Sequence, residues 1–295
     1  MPLSQTTLIS AWFRFARLPF VVYRLLAGLV CFVLAIFVFV FGSERRKVLL
    51  TNLKLCFPNV SALQRWLWAA EHMYLYLRTF LDRGWLWSGD DLKVRHRVEI
   101  ENPQALRRLR LGEKPTILLA PHFLGLDAAW SRLSLDVNMV TMYSNQKNEE
   151  LNRTILEGRQ QYGDQVLLSR QEGVRPLVQT MKKGRPLYYL PDMDFGEKDS
   201  VFVSFFGIQA ATVTAVARLA RLLKAQVVPV TTRFKNGSYR VTIHEPFNPF
   251  PLEDETESTQ AMNHAIEEFV VHNVPQYLWT HKRFKTRPAG ESKYY

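Results

Sequence analysis

Leu25 to Phe41 (LLAGLVCFVLAIFVFVF) is an unbroken run of 17 uncharged residues, and it constrains every other reading of the chain. Coiled as a helix, such a run covers about 25 Å, slightly less than a hydrocarbon core of about 30 Å. Extending it back to Leu18 supplies the missing length and takes in Pro19 and Arg24. Arg24 then lies near one end, where a long side chain can reach the headgroups. An amphipathic core helix would show a polar stripe, and this run is apolar on every face. A cleavable signal fits poorly, because the run is long and the following FGSERRK has no small-x-small cleavage pattern. We therefore expect an uncleaved N-terminal anchor over residues 1–44. Basic residues stand on both sides, Arg14, Arg17 and Arg24 before it and Arg45, Arg46 and Lys47 after it, so charge leaves its orientation open.

The formal net charge of +11 favours anionic partners: nucleic acid, acidic lipid headgroups or an acidic carrier protein. A hydrophobic share of 47% excludes a disordered chain. The two cysteines, Cys31 and Cys56, can build neither a disulfide framework nor a CxxC metal site, which favours a reducing compartment.

Residues 45–94 read as a helical, partly interfacial segment with a break at Phe57-Pro58-Asn59, and Arg65 to Trp87 is dense in aromatics and leucine. From residue 95 to 295 the pattern becomes α/β. Thr116–Ala120, Val137–Met142, Val166–Leu168, Pro186–Leu190, Gln226–Thr231 and Ser238–Ile243 read as strands, the last two joined by a turn at Lys235-Asn236-Gly237. Asn148–Tyr162, Arg175–Lys183 and Thr212–Leu223 read as helices, with a final helix capped by Ser258 or Thr259 and ending near His272. Alternation of this kind predicts a mostly parallel sheet flanked by helices, with ligands beyond the C-terminal strand ends. The acidic stretch Glu253–Glu257 reads as a solvated loop, and Val201–Phe206 as sheet core or as a hydrophobic strand beside a ligand tunnel.

Ala120-Pro121-His122 follows the first of these strands, and Phe123 to Asp127 leads into an apolar helix. Five residues of helix turn through about 500°, so His122 and Asp127 can meet only if His122 lies in the loop before the helix. The carboxylate would then orient the imidazole and stabilise its protonated form. His96 and Glu101 show the same spacing, but in a charged, strand-like stretch without a strand-to-helix turn, so that match reads as chance. Asp192 and Asp194 form a D-x-D that reads as a loop turn or an arginine partner, with Arg170 as that partner, rather than as a metal site. Thr280–Arg287 (THKRFKTR) reads by default as a solvated basic run.

APHFLGLD at 120–127, PDMDFGEKDSVFVSFFGIQAAT at 191–212 and YLWTHKRFKTRP at 277–288 together resemble the late acyltransferases of lipid A biosynthesis. This is the lauroyl/myristoyl acyltransferase family of Gram-negative bacteria. The likeness covers nearly the whole chain, including NLKLCFP at 52–58. His-x4-Asp is shared by glycerolipid acyltransferases generally, whereas the block around PDMDFG is far more specific.

The resemblance implies a glycerolipid-acyltransferase-like α/β fold and an enzyme of the inner membrane with its catalytic domain on the cytoplasmic side. Its donor would be acyl carrier protein, and its acceptor the 3-hydroxyl of an acyl chain already on a lipid A precursor. Membrane lipids would surround it, no nucleic acid would be bound, and no cofactor or metal would be needed. Residue by residue it implies His122 as general base with Asp127 as its orienting partner, at a position where the family often has Glu. It also places Arg159 and Asp192 with the active site. Lauroyl is the chain suggested by the subgroup resembled. Two other readings are a glycerolipid acyltransferase making phosphatidic acid, for which an EGTRS-like block is expected instead of PDMDFG, and a noncatalytic basic membrane- or nucleic-acid-binding protein.

Overall fold

A computed structural model describes residues 5–295, so the first four residues of the expected anchor segment lie outside the described residues. Helices α1 (Gln5–Ala16), α2 (Phe20–Phe41), α3 (Ser43–Cys56), α4 (Ala62–Leu86) and α5 (Asp91–Arg97) precede the first strand, β1 (Val98–Ile100). Then follow α6 (Pro103–Leu111), β2 (Thr116–Leu119), α7 (Leu126–Ser134), β3 (Val140–Tyr143), α8 (Glu149–Arg159), β4 (Val166–Ser169), α9 (Val174–Lys182) and β5 (Leu187–Tyr189). The chain closes with a hairpin of β6 (Ser200–Phe205) and β7 (Ile208–Val213), then α10 (Ala215–Leu223), β8 (Gln226–Lys235), β9 (Ser238–Ile243) and α11 (Glu255–Val271).

Seven strands form one sheet in the order β1-β9-β8-β2-β5-β3-β4. Only β8 and β9 are antiparallel neighbours, joined by Asn236 and Gly237 at φ 53° and 81°, the left-handed turn that such a short connection requires. Both faces of the sheet are covered. Ile117 and Leu119 of β2 point into one apolar core and Leu118 and Ala120 into the other, the alternation a strand imposes.

Helix α2 is 22 residues long, and by length and composition it can cross a membrane. It buries Tyr23, Ala27, Cys31 and Ala35, one side chain per turn, against α4, and leaves most of its remaining apolar surface exposed. A polar knot fixes that seam. Asp82 of α4, fully buried, accepts from the Tyr23 and Tyr239 hydroxyls at 2.7 Å each and pairs with Arg78 at 3.1 Å, so one carboxylate ties α2 and α4 to β9.

Several local expectations need correction. Thr212 and Val213 belong to β7 rather than to the following helix, because the β6–β7 hairpin continues through them. The final helix starts at Glu255, not at Ser258, since Asp254 caps it by accepting from the Thr256 and Glu257 amides at 2.6 and 2.9 Å. His96 lies in helix α5 rather than in a strand. The 280–287 run is not a solvated tail. Arg283 is 2% exposed and donates to the Ala211 carbonyl and the Thr212 hydroxyl at 2.8 and 2.6 Å, fastening the segment to the hairpin.

Candidate active site

Strand β2 ends in a loop that carries His122 before α7 begins, as the rotation argument required. Close packing shapes the turn: a Cβ on Gly125 would lie 2.7 Å from Thr232 Cγ2 of β8, so a larger residue would push α7 off the sheet. The C-terminal segment clamps the loop from outside. The Leu278 amide donates to the His122 carbonyl at 2.9 Å, the Leu124 amide donates to the Gln276 carbonyl at 2.8 Å, and Phe123 bridges Tyr277.

The expected pairing of His122 with Asp127 is not what forms. His122 Nδ1 lies 2.7 Å from Asp192 Oδ1, and its backbone amide donates to Asp192 Oδ2 at 2.9 Å. The reason lies in the sheet. β2 and β5 are parallel neighbours with Leu119 opposite Tyr189, so the residues three beyond each, His122 and Asp192, emerge side by side. A carboxylate can only accept, so Nδ1 carries the proton and the neutral ring keeps its lone pair on Nε2. Burial alone would raise the Asp192 carboxyl. The positive charge of a protonated His122 and the hydrogen bonds from its ring and amide, with one more from the Tyr277 side chain, outweigh it and bring it down to about 2.

Asp127, buried at the start of α7, is held between two arginines. Arg83 Nε of α4 donates to its Oδ2 at 2.7 Å, and Arg159 of α8 reaches its Oδ1 through Nε at 3.0 Å and Nη2 at 2.9 Å. Burial opposes the charge on Asp127, but the Arg159 and Arg83 guanidiniums more than offset it and hold the carboxyl below its usual range. Packing aims both cations. Arg83 lies over the Phe80 ring at 5.1 Å and the Trp87 ring at 5.8 Å. A Cβ on Gly158 would come within 2.3 Å of the Trp87 ring, so glycine lets α8 sit directly on the indole while Trp130 Nε1 donates to the Arg159 carbonyl at 2.8 Å.

The two groups face a common cavity of about 1040 Å³, lined by His122, Asp127, Arg83 and Arg159 together with apolar Met142, Ile155, Leu177, Leu219 and Leu222. Among the described residues His122 Nε2 has no protein partner, and the ring is among the lining groups. Arg170 also lines the cavity, but it stacks on Phe195 at 3.6 Å and pairs with neither Asp192 nor Asp194. Those carboxylates are already occupied. Asp194 accepts from the Gly196 amide at 3.0 Å and from the Thr286 amide and hydroxyl at 2.7 Å each, a loop-fixing role. The strand Val201–Phe206 packs against α11, and of this hairpin it is Val213, on the partner strand, that lines the cavity.

Arg83, Tyr277 and His281 escaped sequence reasoning. His281 Nε2 accepts from the Asp194 amide at 3.1 Å; burial, then the charges of His122 and Arg283, lowers its pKa to about 4. It stands beside the site as a neutral acceptor.

The cavity thus presents an imidazole held in one tautomer, two guanidiniums around one carboxylate, and apolar side chains. A family model described as bacterial lipid A biosynthesis acyltransferase matches residues 6–286. The lipid A biosynthesis palmitoleoyltransferase of Escherichia coli is 31% identical over 258 residues, covering 86% of this chain and 83% of that protein. A lipid A biosynthesis acyltransferase of Haemophilus influenzae is 32% identical over 257 residues, 86% of this chain and 80% of its own length. The lipid A biosynthesis lauroyltransferase of Escherichia coli is 29% identical over 278 residues, 93% of this chain and 89% of that enzyme.

Proposed function

The chain belongs to the bacterial lipid A biosynthesis acyltransferase family, and from that premise we propose that it moves a fatty acyl chain, lauroyl by the subgroup resembled, from acyl carrier protein to the 3-hydroxyl of an acyl chain on a lipid A precursor. The observation that carries this reading is the His122 imidazole, fixed by Asp192 at 2.7 Å in the tautomer whose free nitrogen is a base, in the lining of a largely apolar cavity.

In this mechanism the acceptor hydroxyl is too weakly acidic to attack a thioester unaided, so His122 Nε2 takes its proton as the new C–O bond forms. Asp192 stabilises the imidazolium that results. The carbonyl oxygen becomes an oxyanion beside Arg83 and Arg159, two cations against the single Asp127 charge. When the oxyanion collapses, the C–S bond breaks. The leaving sulfur takes the proton back from His122, giving the ester and the free carrier thiol.

Helix α2 supports membrane attachment through its length and its exposed apolar surface, which would be unfavourable in water. In this reading the helix sits in the inner membrane and the α/β part faces the cytoplasm, where a soluble acyl carrier protein can reach the cavity. Residues 1–44 then act as anchor, 45–94 as the interfacial helical segment and 95–295 as the catalytic unit.

The test is acyl transfer by the purified full chain, given lauroyl-acyl carrier protein and either a lipid A precursor or lysophosphatidic acid. Ester formation on the lipid A precursor is expected. Acylation of lysophosphatidic acid alone, or of neither lipid, would overturn the reading.

A further inference from the structure

A second hollow of about 480 Å³ opens in the angle between α1, α2 and α4. Leu8, Trp12 and Phe15 of α1, Val30 of α2 and Leu81 of α4 form its walls, and every described residue lining it is apolar. Its size falls within the range of about 300–1,000 Å³ typical of small-ligand sites. It is not isolated: Phe80 and Leu151 line both this groove and the cavity that holds His122.

The groove is built rather than left over. Trp12 Nε1 donates to the Leu81 carbonyl at 2.8 Å, and its ring stacks on Phe80 with centroids 5.5 Å apart and planes 6° from parallel. α1 can come this close because α4 has glycine beneath it: a Cβ on Gly84 would sit 2.9 Å from Ala16 Cβ. Phe80 in turn lies under Arg83, whose guanidinium holds Asp127 at 2.7 Å. One ring therefore separates the groove from the charged wall of the site.

We propose that this groove holds an acyl chain of the lipid acceptor, one other than the chain being esterified. The word acceptor rests on the acyl-transfer reading. Three observations select a chain as occupant. Among the described residues the lining offers no polar side chain to a headgroup or an ion. The groove lies beside the exposed apolar side chains of α2, such as Leu29 and Val33, at the level where lipid tails would run. Because Phe80 and Leu151 line both hollows, a lipid seated by one chain in the groove lies within a side chain's thickness of the cavity and can present a hydroxyl to His122. The donor chain stays in the large cavity, because its thioester carbon must reach the same base. The acceptor thus enters sideways from the bilayer and is positioned by a chain that takes no part in the chemistry.

Ala11→Trp fills the groove from α1, and Val30→Trp fills it from α2 should the first variant fold poorly. The full chain is reconstituted in phosphatidylethanolamine and phosphatidylglycerol vesicles containing a lipid A precursor with a diazirine in an acyl chain, and photo-adducts are mapped by mass spectrometry. Adducts should concentrate on residues 8–15 and 80–81 and fall at least about fivefold in the filled variants. The acceptor KM should rise about tenfold while kcat and the donor KM hold. Adducts scattered along the outer face of α2, or groove labelling and acceptor KM unchanged by filling, would overturn the proposal. His122→Ala should label like the wild type. Groove labelling in a wild-type protein inert toward every acceptor would keep the chain site and overturn the acyl-transfer reading instead.

Discussion

His122 and Asp192 are 70 residues apart in sequence and 2.7 Å apart in space, whereas Asp127, five positions from the histidine, belongs to two arginines. Two carboxylates that sequence alone cannot rank therefore take different partners: one holds the His122 imidazole, the other the Arg83 and Arg159 guanidiniums. Asp192→Asn keeps the shape but removes the charge that favours Nδ1–H and the imidazolium. We expect kcat to fall on the order of 10²–10⁴-fold with KM little changed. Steady-state kinetics on protein of verified fold checks this, and a wild-type kcat would remove Asp192 from the mechanism.

Asp127 joins α7 to Arg83 of α4 and Arg159 of α8, so its substitution and those of its partners should not add. Asp127→Asn, Arg83→Gln and Arg159→Gln should each lower kcat/KM, and the pairwise doubles should lose much less than the sum, by about 0.5–3 kcal/mol of coupling. Asp127→Glu, which keeps the charge, should retain the most activity. Strict additivity across the double-mutant cycles would mean that the three residues act independently.

The polar knot at the root of α2 concerns stability rather than chemistry. Asp82→Ala strands the buried Arg78 guanidinium and two tyrosine hydroxyls, a loss of about 3–5 kcal/mol for breaking a buried pair. Thermal unfolding in detergent should show a clearly lower midpoint, with Asp82→Asn intermediate. A midpoint equal to wild type would show that the seam is held by Ala27, Cys31 and Ala35 packing alone.

What could be read from sequence was local. The apolar run lacks a polar stripe, and the strand–loop–helix around His122 is contiguous, so both features stand in the order of the residues. The partnership of His122 with Asp192 depends on β5 lying beside β2 with Leu119 opposite Tyr189, a register that spacing along the chain does not encode. Arg83 and Tyr277 come from a helix and a loop outside the α/β pattern, 44 residues before Asp127 in one case and far to its C-terminal side in the other. The misread 280–287 run shows the same limit. Its charge suggested solvent, but the hairpin β6–β7 offered Arg283 two buried acceptors.

Acid should weaken the fold in a defined window. His72, which meets the Pro275 carbonyl at 2.9 Å, and His281 are both lowered to about 4, in each case chiefly by burial. Between that value and about 6.5 the unfolded chain binds more protons than the folded one, so stability falls as pH drops through this range and levels off below it. Asp192 adds a further loss at lower pH, as its carboxyl titrates between the ordinary value near 3.8 and about 2. Above pH 6.5 these groups contribute no slope. Urea midpoints at pH 7.5, 5.5 and 4.5 should decline in that order, and His281→Asn should flatten part of the decline. A midpoint constant from 7.5 to 4.5 would contradict the buried neutral histidines.

The choice of base can be tested against an internal decoy. His122 and His96 both stand five residues before an acidic residue, Asp127 and Glu101, and spacing alone does not separate them. The fold does. His122 follows the C-terminal end of β2, donates Nδ1–H to Asp192 and lines the cavity, while His96 sits exposed on α5, and Glu101 is engaged by Arg233 at 3.1 Å. His122→Ala should therefore cost on the order of 10²–10⁴-fold in rate, the usual loss for a positioned acid–base group, without a change in thermal midpoint large enough to signal unfolding. His96→Ala should leave both rate and midpoint at wild-type values. A fully active His122→Ala protein, or a His96→Ala protein that has lost its activity while remaining folded, would place the base elsewhere.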